Sequence, residues 1–148
     1  MAGSADPRIS PQLSCVLVDD NEPVLRALET LLRDEGIDVV ATAGTGLGAL
    51  QLLEDHHPST LVVDLRLPDL GGIEVTRRAG ELARSGPAVI VYTSYADRTL
   101  VTRELDAGAR AVVLKDAPPL NLLEALRVVA AGGIYIDPQL RTGPRKQR

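Results

Sequence analysis

Short apolar runs recur along the chain, each closed by a polar break and followed by a helical pattern. The runs are Cys15–Val18, Ile37–Ala41, Leu61–Val63, Ala88–Tyr92 and Ala111–Leu114. They are rich in β-branched residues and do not alternate with polar ones, which predicts strands buried on both faces. Between them, apolar residues recur three and four positions apart. Val24, Leu25, Leu28, Leu31 and Leu32 mark one face of a helix that stops at Gly36. Leu47, Leu50 and Leu53 mark a second, closed by Pro58, and Ile73, Thr76, Ala79 and Leu82 a third, closed by Gly86-Pro87. Leu100, Val101 and Leu105 form a fourth pattern ending at Gly108. Leu122, Leu123, Leu126, Val129 and Ala130 form a fifth ending at Gly132-Gly133. Five β–α units in about 120 residues predict an α/β fold, a parallel sheet with helices on both faces, because each parallel crossover needs its own helix.

A length of 148 residues suits one domain with short tails. Residues 1–12, with their Ser, Pro and Gly, predict a flexible arm, and residues 13–133 the domain. Residues 134–148 read as a linker or tail, with Arg141, Arg145, Lys146 and Arg148 clustered beside Gly and Pro. Three Tyr, no Phe and no Trp force an aliphatic core and weaken any function that needs a stacking platform. A net charge of −4 gives no overall basic footprint for nucleic acid. The single cysteine, Cys15, lies in the first apolar run and cannot form an internal disulfide, which suits a reducing compartment. The polar, Pro-interrupted start carries no apolar signal-peptide core. No apolar run approaches the roughly 20 residues that span a bilayer. The expected location is therefore cytoplasmic, away from membranes.

In open parallel sheets, ligands bind at the carboxyl ends of the strands. The first run ends in Asp19-Asp20, the third in Asp64, the fourth in Thr93-Ser94 and the fifth in Lys115. The second ends blandly, in Ala41-Thr42-Ala43. Carboxylates crowded into one pocket repel one another unless a cation compensates them. A hard cation such as Mg²⁺ fits, since it takes carboxylate oxygens and phosphate and keeps several waters. A carboxylate beside it can be a nucleophile toward a phosphoryl group. Lys115 can meet a phosphate oxygen as a compact charge, and Thr93 can donate a hydroxyl to the same group.

The segments VLVDDNEPV, LVVDLRLPDLGGIEV, VIVYTS and VVLKD together resemble the receiver domain of bacterial two-component response regulators, over about Ser14 to Gly133. The resemblance implies a flavodoxin-like doubly wound (βα)5 sandwich with parallel strand order 2-1-3-4-5. It implies Asp64 as phosphoacceptor, Thr93 as switch hydroxyl and Lys115 as phosphate-binding lysine. Mg²⁺ would be held by Asp19, Asp20, Asp64 and the backbone carbonyl of Arg66. Pro68 and Gly72 match the loop after the phosphoacceptor. LKD and AAGGIYIDPQL resemble the NarL/LuxR-type subgroup. That implies a signalling switch rather than a turnover enzyme, phosphorylated by a cognate sensor histidine kinase and serving transcription. A homodimer is implied too, through helix four, strand five and helix five or through helices one and five. DNA would be reached only through an output domain outside this chain. Val112 stands where the family usually carries Tyr or Phe, so no ring at that position can couple to Thr93. Arg66 and Tyr95 occupy positions where the family varies, and are assigned to tuning phosphoryl lifetime.

Each residue also has an ordinary explanation. Asp19-Asp20-Asn21 before a helix is a capping pattern, Asp64 can start a turn, and lone lysines and threonines at strand ends are usually solvated or backbone-bonded. Their joint occurrence in order favours the site. Gly44-Thr45-Gly46-Leu47-Gly48-Ala49 matches a dinucleotide-binding pattern, but it follows the second strand and reads as a flexible loop. His56-His57 before Pro58 read as a solvated turn, and Asp97 and Asp106 as helix-surface charges. A haloacid-dehalogenase-like phosphohydrolase would place its nucleophile after the first strand, with a second Asp two residues on. A flavodoxin-like carrier would need a hydroxyl-rich phosphate loop where this chain has acids.

Overall fold

The computed structural model describes residues 13–82, 86–94 and 97–141. The expected arm over residues 1–12, Tyr95 and the basic tail beyond residue 141 lie outside the described residues. Strands β1 (Ser14–Val18), β2 (Asp38–Ala43), β3 (Thr60–Val63), β4 (Ala88–Thr93), β5 (Ala111–Leu114) and β6 (Tyr135–Ile136) form one sheet, in order β2-β1-β3-β4-β5-β6. Every pairing is parallel. Helices α1 (Glu22–Asp34), α2 (Gly46–His56), α3 (Gly72–Leu82), α4 (Arg98–Ala107) and α5 (Pro119–Ala130) supply the crossovers, and α6 (Pro138–Arg141) is a final turn. The expected order of five strands holds, and β6 extends it beside β5.

The two faces of the sheet are packed separately. Leu17, Val62, Ile90 and Val113 point to one side, where Leu25, Leu28 and Leu32 of α1 and Leu122, Leu126 and Val129 of α5 cover them. Val16, Val63, Val91 and Val112 point to the other, against Ala49 and Leu53 of α2 and Val75 and Ala79 of α3. The central strands β3 and β5 are buried at every position, as continuous apolar runs require. Edge strand β2 departs from that expectation. It begins one residue later than the apolar run and is mostly exposed or half-buried, because only one neighbour pairs with it. A register shift between Cys15 and Val16 accommodates its extra residue.

Helix ends follow local chemistry. Asn21 caps α1, accepting from the Val24 N–H at 3.2 Å, with Pro23 in its first turn. Asp97, read from the sequence as a surface charge, caps α4 by accepting from the Leu100 N–H at 2.9 Å. His57 ends α2 in the left-handed region, and both His56 and His57 are exposed, in keeping with a turn. The expected apolar face of α2 is corrected at one residue. Leu47 is 58% exposed, and the buried stripe runs through Gly46, Ala49 and Leu53. Gly46 takes the inner position because a β-carbon there would lie 2.8 Å from Leu70 Cβ and 2.9 Å from Val75 Cγ2. No helix among the described residues is long and apolar enough to cross a membrane.

Candidate functional site

Because β1, β3, β4 and β5 are neighbours, their carboxyl ends meet at one edge of the sheet. Asp19 follows β1, and its N–H donates to Ala43 O at 3.1 Å. Asp64 follows β3, its N–H donating to Val18 O at 3.0 Å. Lys115 follows β5, its N–H donating to Thr93 O at 2.8 Å, which ties the fourth and fifth strand ends together. Asp19 and Thr93 are buried, Asp64 nearly so, and Asp20 is exposed at the rim.

Carboxylate oxygens of Asp19, Asp20 and Asp64 lie within 4.8 Å of one another. The Lys115 ammonium donates to Asp64 Oδ2 at 3.0 Å and to Asp19 Oδ2. Burial alone would lower the lysine pKa, but the hydrogen bonds to Asp19 and Asp64 outweigh it and hold the pKa above its ordinary value. Lys115 is therefore a cation at neutral pH. The remaining oxygens are oriented by backbone. Asp19 Oδ1 accepts from the Asn21 N–H at 2.9 Å, and Asp64 Oδ1 from the Arg66 N–H at 3.3 Å. The donor set is all oxygen and acidic, so these residues fit a hard divalent cation rather than a thiolate- or imidazole-seeking one.

The loop after Asp64 is pinned at both ends. Gly72 donates its N–H to Leu65 O at 2.8 Å. A β-carbon on Gly72 would lie 2.8 Å from both Asp64 O and Leu65 Cα, which are backbone atoms unable to yield cheaply. Gly72→Ala is expected to cost roughly 1–3 kcal/mol by overpacking, read as a loss of about 5–10 °C in Tm. An unchanged Tm would show that the loop gives way freely. At the other end, Asp69 accepts from the Gly46 and Leu47 N–H groups at 2.7 and 2.9 Å. These bonds, with that from Leu70, hold its carboxyl below the ordinary range despite some desolvation.

Asp69 also disposes of the dinucleotide-like motif. The first N–H groups of α2 are taken by Asp69, and the Gly48 N–H by Thr45 Oγ1 at 3.0 Å. The turn holds no open cradle of donors for a pyrophosphate. Sequence reasoning missed Asp69, since an acid next to Pro68 is indistinguishable from an ordinary turn residue. It also missed Asp137, which is fully buried. Asp137 accepts from the Leu114 N–H at 3.1 Å, one residue before Lys115, and from the Gln139 N–H at 3.0 Å at the start of α6. The Asp137-Pro138 dipeptide was the available signal, a cap followed by proline in the first turn.

Val112 lies 1% exposed among the aliphatic residues beneath α2 and α3. Tyr92, two residues along β4 from Ile90, sits on the opposite face with α1 and α5. Burial pushes its phenol above the ordinary pKa, with Lys115 nearby opposing the shift.

A doubly wound parallel sheet with an acidic, lysine-bridged pocket at its carboxyl edge defines a receiver-type signalling domain. The sequence matches the response regulator receiver domain model over residues 15–127, and the chain belongs to that family. It is 32% identical over 132 residues to the transcriptional regulatory protein DegU of Brevibacillus brevis, covering 87% of this chain and 55% of DegU. It is 34% identical over 131 residues to the response regulator GacA of Pseudomonas aeruginosa, covering 86% of this chain and 60% of GacA. Among solved structures, a LuxR-family two-component response regulator from Aurantimonas sp. SI85-9A1 superposes with a TM-score of 0.84 at 29% identity, covering 88% of this chain and 94% of that one. The chain thus spans little more than half the length of these two regulators. The relatives are regulatory proteins, in agreement with a signalling module rather than a turnover enzyme.

Proposed function

We propose that this chain is a phosphoryl-accepting switch in which Asp64 is the phosphoacceptor. The observation that carries this reading is the convergence of Asp19, Asp20 and Asp64 within 4.8 Å, with Lys115 bridging two of them. The donor would be phosphohistidine on a cognate sensor histidine kinase. An Asp64 carboxylate oxygen forms the new O–P bond, the P–N bond breaks, and the imidazole leaves with its electron pair and takes up a proton. The Lys115 ammonium exchanges a carboxylate oxygen for a phosphoryl oxygen, acting as a charge rather than a nucleophile. Thr93, at the neighbouring strand end, turns its hydroxyl to another phosphoryl oxygen. The residues that would hold Mg²⁺ are Asp19, Asp20, Asp64 and the Arg66 backbone carbonyl. When bound, the cation offsets the repulsion between the carboxylates and the incoming phosphoryl group.

We assign residues 1–12 to an arm and residues 13–133 to the receiver domain, which β6 and α6 extend along the β5 edge before the remaining residues lead out of it. The inferred output is transcriptional control through a DNA-binding domain outside these residues, supported by the regulators that the chain resembles. A cytoplasmic location follows from that role and from the free, buried Cys15. We further infer that two copies pair, through α4, β5 and α5 or through α1 and α5, as membership of the receiver family implies. Phosphate-affinity electrophoresis after incubation with acetyl phosphate and Mg²⁺ tests the reading. Wild type is expected to give one retarded band that Asp64→Asn lacks. A retarded band of equal strength in Asp64→Asn would exclude Asp64 as the acceptor.

A further inference from the structure

α4 rests on the domain through an acidic side chain. Its apolar residues Leu100, Val101 and Leu105 are only half-buried, and Glu104 is the single buried residue of the helix, 1% exposed. Glu104 Oε1 lies 3.4 Å from Thr76 Oγ1 on α3, and Glu104 Oε2 has no hydrogen-bond partner among the described residues. The Thr76 hydroxyl has a much better acceptor in Gly72 O, at 2.7 Å. A hydroxyl carries one proton, so once it is given to Gly72, Thr76 presents only lone pairs to Glu104. A carboxylate would face those lone pairs undonated and out of water, an expensive arrangement. A protonated carboxyl would donate to Thr76 Oγ1 and complete the chain Glu104 to Thr76 to Gly72.

Among the described residues, no charged group pairs with Glu104. On α3, Glu74 pairs with Arg77 and Arg78. β5 has no ionisable side chain. On α4 itself, Arg98, Arg103 and Asp106 are exposed.

We propose that Glu104 is a proton-operated latch on α4: protonated, it docks the helix on α3 through Thr76, and deprotonated, it leaves the interface and loosens the helix. Burial pushes the Glu104 carboxyl up to about 7, the contact with Thr76 only partly opposing this. The docked helix thus binds the proton more tightly than the undocked one. Docking is strongest below the ordinary glutamate range and is lost as pH rises through about 7. α4 is the next element in sequence after β4, which ends at Thr93, so the latch would act on the helix that follows the switch hydroxyl. That last link rests on the phosphoryl-switch reading; the latch itself does not.

The test uses the unphosphorylated chain without divalent cation, so its outcome is independent of phosphoryl transfer. Carboxyl-detected NMR titration of the wild type is expected to place Glu104 near 7, well above the ordinary glutamate value. Hydrogen exchange of the α4 amides, corrected for intrinsic rates, is expected to speed up about tenfold between about pH 6 and about pH 8, with Glu104→Gln nearly flat. Titration of Glu104 in the ordinary glutamate range, or an equal pH dependence in Glu104→Gln, would overturn the latch.

Discussion

EDTA will lower phosphoryl uptake from acetyl phosphate by about a hundredfold or more, which corresponds to roughly 3 kcal/mol of lost transition-state stabilisation. The geometry sets this expectation. Three carboxylates lie within 4.8 Å of one another, and the single ammonium of Lys115 is shared between two of them. The pocket therefore stays negative, and the donor phosphoryl group adds further negative charge. Like charges about 4 Å apart cost about 4 kcal/mol at an effective dielectric near 20. Lys115 cannot relieve this alone, because its one positive charge is already shared between Asp19 and Asp64, and its third N–H can reach the phosphoryl group without adding any further charge. Initial rates of labelling with Mg²⁺ and with EDTA measure the effect. Equal rates would mean that Lys115 suffices and the acidic cluster is not a cation site.

Lys115→Ala should be the most destabilising single change in the pocket when divalent cations are absent. It strands Asp19 and Asp64, whose side chains are 3% and 12% exposed, without their counter-charge. Removing one partner of a buried pair costs about 3–5 kcal/mol. The ammonium keeps some water contact, so the expected loss is roughly 2–4 kcal/mol, or about 8–15 °C in Tm. Mg²⁺ should restore much of this, because a cation bound only by the folded state stabilises it by mass action. The variant should still accept phosphate, since the lysine is not the nucleophile. Its amide shift changes at α4 on adding beryllofluoride should shrink, as the phosphoryl group loses the cation that draws β5 toward it. Thermal unfolding with EDTA and with Mg²⁺ decides. A Tm within about 2 °C of wild type in EDTA would show that Lys115 is not the counter-ion.

How much of this was legible in the sequence depends on the length of the signal. β1, β3, β4 and β5 are apolar runs long enough to stand out, and a charged residue at the end of such a run is conspicuous. The sequence therefore puts Asp19, Asp64, Thr93 and Lys115 at the ends of these strands, and the sheet order makes those ends neighbours. β6 has two residues, too few for any periodicity, and Tyr135 and Ile136 sit between Gly133 and Asp137-Pro138, which read as a loop. Leu47 fits a helical repeat yet faces solvent, because Gly46 must occupy the tight contact with Leu70 and Val75. Glu104 was invisible for the opposite reason. A glutamate in a charged helix looks like a surface residue, and only packing shows that α4 turns it inward. Asp69 and Asp137 act across 22 to 23 residues of sequence, at distances that no local pattern encodes.

The central claim is that phosphorus becomes bonded to Asp64 and to no other residue. Intact mass after incubation with acetyl phosphate and Mg²⁺, followed by borohydride reduction of the acyl phosphate and peptide sequencing, tests it directly. The account predicts one phosphoryl group per chain and conversion of residue 64 alone to homoserine. Modification at Asp19, Asp20 or His57, or a phosphorylated chain in which Asp64 is recovered unreduced, would contradict it.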